Sequence, residues 1–160
     1  MRKLFFVVLM SFVFFNSRAY AIDTKLFDLR NRIFDESKEL KALLSGSKDV
    51  VILASMFNSC LIATLQIDAY FHMLGIFESI KEKDLTAAPF EFILSWLDQI
   101  KSFNNLNLKN LTSPAEATVP TTQAHIEKLK EYFVEFNSGI KTEIDTILML
   151  KKSSKLKRER

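Results

Sequence analysis

Val50–Ile67 reads VVILASMFNSCLIATLQI, and what covers this uncharged stretch decides the fold. No Lys or Arg occurs anywhere between Lys48 and Lys81. A helix that is apolar nearly all round belongs either in the middle of a protein or in a membrane. The stretch comes close to the ~20 residues that cross a bilayer. Asn58, Ser59 and Gln66 within it, and Asp68 just after it, weigh against hydrocarbon, where polar groups lack partners. The expectation is a helix over Val50 to Ile80 buried at the centre of a bundle, with membrane insertion as the competing reading.

The segments on either side are the right kind to cover it. Upstream, a helix begins at Asp23 or Thr24, both good N-caps, and stops at Gly46. Leu26, Leu29, Ile33, Leu40 and Leu43 follow heptad spacing with Glu36 the one polar member, while Phe27 and Phe34 widen the stripe. Downstream, a third helix opens near Thr86 with Pro89 in its first turn. Phe90, Ile93, Leu94, Leu97, Ile100 and Phe103 form its stripe, joined by Trp96, and it is expected to end in the Asn-rich stretch from Asn104 to Asn110. A long connection holding Pro114 and Pro120 then leads to a fourth helix capped by Thr121 or Thr122. There Ile126, Leu129, Phe133, Phe136, Ile140, Ile144 and Ile147 recur at helical steps, and Ser138-Gly139 allows a bend midway. With only three Gly and three Pro in 160 residues and fifteen Phe, long packed helices are favoured. The fold class is therefore all-α, a four-helix up-and-down bundle with helix two its most buried member.

The two ends of the chain differ from its body. Met1-Arg2-Lys3 precedes an apolar run from Leu4 to Phe15, and Ala19-Tyr20-Ala21 supplies small residues where a signal peptidase reads. A basic start, a short apolar centre and an A-x-A end make a secretory signal, and the run is short for a membrane anchor. Residues 1–21 are thus expected to be a cleaved signal peptide, 22–150 the helical bundle and 151–160 a basic tail. The expected location is the periplasm or the cell exterior. One cysteine, Cys60, leaves an exported fold without an internal disulfide, which suits a bacterial periplasm better than a small disulfide-stapled animal domain.

Charge is also uneven. Residues 22–150 carry 13 Lys+Arg against 18 Asp+Glu, whereas the tail KKSSKLKRER carries six basic residues against Glu159. The basic overall balance owes its excess to Arg2, Lys3 and Arg18 in the signal, so it does not point to nucleic acid. Lys151, Lys152, Lys155, Lys157, Arg158 and Arg160 are the candidate contact residues, for an anionic membrane surface or an acidic protein.

Other constellations carry less. Asp68 and His72, four apart on helix two, are expected as a polar pair on a buried helix. They lack the further ligands that zinc requires. No C-x-x-C-H or repeated Glu-x-x-His motif occurs, so neither a metal nor a cofactor is expected. Cys60 sits among apolar neighbours, where a thiol is inert. His125 reads as a surface residue near a cap, and Asn110-Leu111-Thr112 matches a glycosylation sequon. The resulting expectation is an exported helical bundle with a non-enzymatic interaction or structural role in the cell envelope. Its rivals are a carrier of a small apolar ligand or lipid within the bundle, and an enzyme using Asp68 and His72.

Overall fold

Four helices follow one another in a computed structural model that describes residues 25–79, 87–111 and 113–158. Helix α1 covers 25–43, α2 Val50–Ser79, α3 Ala87–Asn110 and α4 Pro120–Arg158, with a 3-10 turn at Pro114–Glu116 before α4. Among the described residues there is no strand. The proposed signal, residues 1–21, and Arg160 lie outside the described residues.

Cross-helix pairs give the direction of each helix. Phe27 meets Phe71 and Arg30 meets Asp68, so α1 and α2 run antiparallel. Phe77 against Phe90 turns α2 into α3. Glu91 with Lys151, Asn104 with Phe133 and Asn105 with Asn137 set α3 antiparallel to α4. Glu36 with His125 and Arg32 with Glu135 do the same for α1 and α4. This is the up-and-down order anticipated from the sequence.

One packing rule builds all four inner faces. The buried lanes are Leu26, Leu29, Ile33, Glu36 and Leu40 on α1, with Ser37 buried beside them, and Leu53, Met56, Cys60, Ala63, Ile67 and Tyr70 on α2, with Thr64 buried beside them. They are Phe90, Ile93, Leu97, Ile100 and Asn104 on α3, and Thr122, Ile126, Leu129, Phe133, Phe136, Ile140, Glu143 and Ile147 on α4. Every lane alternates steps of three and four, the spacing at which side chains of near-parallel helices interlock. Burying each Leu, Ile or Phe contributes ~1.5–3 kcal/mol, so these lanes hold the bundle together.

Four boundaries and faces differ from expectation. Helix α2 is not sheathed on every side: opposite its buried lane, Val51, Ile62 and Leu65 are exposed. Apolarity all round measures what a helix tolerates, whereas burial depends on how many neighbours reach it. Helix α3 runs through the whole of the Asn-rich stretch to Asn110, which shortens the connection before α4. Asn104 is fully buried and its amide donates to the Phe133 carbonyl at 2.7 Å, which ties the start of the Asn-rich stretch to α4. Helix α4 begins at Pro120, with Gln123 N donating to the Val119 carbonyl at 3.1 Å, so Pro sits at the first helical position and neither Thr121 nor Thr122 is the cap. It also continues beyond Leu150 through Arg158. At the end of α1, Gly46 takes φ +84, a left-handed stop that an L-residue adopts only with strain.

Candidate functional site

Polar groups collect at the end where α1 finishes and α2 and α4 begin. Asp49 gives its backbone carbonyl to the first bond of α2, from Leu53 N at 2.9 Å. Its side chain reaches across to the start of α4. There it accepts from Thr118 N (3.2 Å), Thr118 Oγ1 (2.7 Å) and Val119 N (2.9 Å). These donors, the Thr118 hydroxyl foremost, hold the Asp49 carboxyl below the usual carboxylate range, since hydrogen bonds to the charged form favour it. One carboxylate thus ties together the beginnings of two parallel helices.

A turn away, Glu36 projects from the apolar lane of α1 and is buried. Two side chains from the first turns of α4 meet it: His125 Nδ1 hydrogen-bonds one carboxylate oxygen and Lys128 Nζ lies 2.5 Å from the other. A carboxylate only accepts, so the His125 nitrogen facing it carries the proton. Lys128 also lies 3.7 Å from Glu39. The bond to Glu36 raises the Lys128 pKa, overcoming the opposite effect of partial burial. Further along the same seam, Arg32 pairs with Glu135 at 2.6 Å and lies over the Tyr132 ring.

Glu36, Glu39 and His125 bring three ligand atoms within 4.8 Å of one another, a spacing a metal ion can bridge. The Lys128 ammonium already neutralises Glu36 and stays cationic, and a divalent ion would have to displace it against like-charge repulsion. The arrangement fits a closed ion network fastening α1 to α4. A second buried carboxylate, Glu143, accepts the Tyr70 hydroxyl and links α2 to α4 in the interior.

The residues singled out from sequence are distributed differently. Asp68 is not paired with His72: both its oxygens receive the Arg30 guanidinium at 2.9 Å, and both residues lie on the surface, not in a buried gap. A carboxylate engaged bidentately is poorly placed to take a proton from a substrate. Cys60 is fully buried, as expected, and burial pushes its thiol up to about 12, with the Glu36 carboxylate adding to the effect. It holds no thiolate nucleophile at neutral pH. His125 is partly buried on Glu36, not a plain surface residue. The Glu36 network and the Glu143 pair escaped the reading from sequence, although both glutamates occupy heptad positions in otherwise apolar lanes. A carboxylate at such a position is the signal that points to an interior partner.

The basic segment sits at the opposite end of the bundle, where α2 ends and α3 begins. Lys151 reaches Glu91 at 3.3 Å, an exposed pair of little energetic weight. Lys152, Lys155, Lys157 and Arg158 follow on the same continuous helix. A shallow trough on the outer surface of α3, lined by Glu91, Leu94, Ser95, Asp98, Gln99, Ser102, Phe103 and Leu106, lies beside it. Comparison with protein-family models, with curated proteins and with solved structures finds no match for this chain.

Proposed function

We propose that this chain is an exported, non-enzymatic helical-bundle protein whose basic α4 terminus engages an anionic membrane surface. The observation that carries the reading is the continuation of α4 through Arg158. Five basic residues, from Lys151 to Arg158, thereby belong to one continuous helix at one end of an otherwise acidic body. Each basic residue near an anionic membrane contributes ~1 kcal/mol, so the segment anchors the protein loosely without inserting apolar groups. The bundle interior supports this reading over a ligand carrier, because the large side chains Tyr70, Phe133 and Phe136 are fully buried in its core. The engagement of Asp68 by Arg30 likewise favours it over an enzyme built on Asp68 and His72.

Co-sedimentation with vesicles tests the proposal, comparing the whole chain with one ending at Leu150 on anionic and neutral lipid. Binding is expected only to anionic vesicles, only with the segment present, and to fade as the Debye length falls from ~10 Å at 0.1 M salt to ~3 Å at 1 M. Binding that ignores the segment or the salt overturns it. Capture of an acidic protein instead of vesicles assigns the segment a different partner.

A further inference from the structure

Helix α2 carries two heptad lanes on opposite sides. The first is the buried lane from Leu53 to Tyr70. The second is Val51, Ser55, Asn58, Ile62, Leu65, Ala69, His72 and Ile76, again at alternating steps of four and three. Exposure along it is 79% at Val51, 45% at Ile62, 67% at Leu65 and 50% at Ile76. No member is an acid, a lysine or an arginine. The neighbouring Asp68 is neutralised by Arg30 from α1. A long, uncharged, regularly spaced lane facing water marks an interaction surface, and its spacing is the one by which the inner faces already pack.

We infer that this lane is a self-association surface, on which a second copy of the chain packs its own α2 antiparallel about a two-fold axis between Ile62 and Leu65. The register follows from matching chemistry. Such an axis sets Val51 against Ile76, Ser55 against His72, Asn58 against Ala69 and Ile62 against Leu65. Apolar residues meet apolar ones at the centre and both ends, the hydroxyl meets the imidazole, and the small alanine leaves room for the amide. An isologous interface requires this self-complementarity.

A lipid surface fits the lane less well. Helices lying in a membrane interface carry Lys and Arg along their flanks, and α2 has none between Lys48 and Lys81. Ser55, Asn58 and His72 would also face acyl chains without partners, whereas a second copy supplies one for Ser55 and His72. A lane about 39 Å long at ~1.5 Å per residue and ~10 Å wide covers roughly 400 Å² per copy. That is below the ~800 Å² per partner of standard stable complexes, so the dimer is weak and reversible.

Sedimentation equilibrium on the chain as recovered from its host, from ~10 µM to ~1 mM, tests the inference. A concentration-dependent dimer is expected, and Leu65→Glu or Ile62→Glu should weaken it at least ~10-fold while the circular dichroism melt stays close to wild type. Val134→Glu, between Ile62 and Leu65 in exposure but on α4, should leave it intact. Register is read by disulfide trapping: Ser55→Cys mixed with His72→Cys should cross-link, and Ser55→Cys alone should not. The native Cys60 is buried and does not compete. A monomer at every concentration overturns the inference. So does a dimer that survives Leu65→Glu, one abolished instead by Phe103→Glu on α3, cross-linking of Ser55→Cys with itself, or a monomer that binds neutral vesicles through Leu65.

Discussion

Ile67 and Leu65 stand two residues apart on the same helix, equally apolar and opposite in fate. Ile67 is fully buried against the other helices, while Leu65 is 67% exposed. The same contrast separates the whole inner lane of α2 from its outer one. A helix turns 100° per residue, so neighbours in sequence face different surroundings, and only the surroundings convert an apolar side chain into stability. Hydropathy along α2 separates these faces only weakly, since Val51, Ile62, Leu65 and Ile76 keep the outer lane largely apolar despite Ser55, Asn58 and His72. Helix α4 presents the opposite case, with alternating polar and apolar residues that show its inner face at once.

The largest test of the comparison places a charge on each face. Ile67→Asp should leave no cooperative melt, because an unpaired buried carboxylate costs several kcal/mol, comparable to the ~5–15 kcal/mol stability of a whole domain. Leu65→Asp should keep its helical circular dichroism and melt within ~0.5 kcal/mol of wild type. Equal damage from both substitutions would mean that α2 is covered on both sides.

A smaller effect is expected where the interior is already polar. Glu36→Ala removes the partner of His125 and Lys128 and should cost ~1.5–3 kcal/mol in denaturant titration. Lys128 remains able to turn to solvent, its side chain being 41% exposed, which keeps the loss below that of a fully stranded charge. Glu39→Ala, on the exposed side of the same lysine, should cost no more than ~0.5 kcal/mol. A reversed ranking would show that the network is not carried by the buried carboxylate.

Asp49 gives the comparison a pH axis. Its folded pKa lies below the ordinary value of 3.8, so it contributes stability above that value and loses the contribution as pH falls through the folded pKa. The advantage of wild type over Asp49→Asn should therefore be constant from pH 5 to pH 8 and shrink only below about pH 4. A gap that opened instead near neutral pH would assign the effect to another group. At Gly139→Ala two opposing effects meet. A Cβ there would approach the Leu26 Cδ2 to 2.8 Å, while helix propensity improves by ~0.8–1.0 kcal/mol. Leu26 is buried but its methyl end can shift, so the two terms should nearly cancel, leaving the melt within ~1 kcal/mol of wild type.

Much of the bundle was legible because its inner faces obey one periodicity. Leu26 to Leu40, Phe90 to Ile100 and Ile126 to Ile147 each show a stripe that needs no tertiary information. The ends of α3 and α4 were not legible. Asn104 to Asn110 has the composition of a loop, and the bonds of Asn104 to the Phe133 carbonyl and of Asn105 to Asn137 on α4 carry no local sign in the sequence. His125 carries no local sign of its partner, since Glu36 lies on another helix 89 residues away.

The amino-acid order by itself thus determined four helices, their up-and-down arrangement and the burial of Cys60, since periodicity and turn residues are local properties of the chain. Tertiary structure alone decided which side of α2 meets water, that Asp68 belongs to Arg30 and not to His72, and that Glu36 is held by His125 and Lys128. Each of these depends on which groups from distant helices arrive within hydrogen-bonding or packing distance, and a single chain segment carries no record of that.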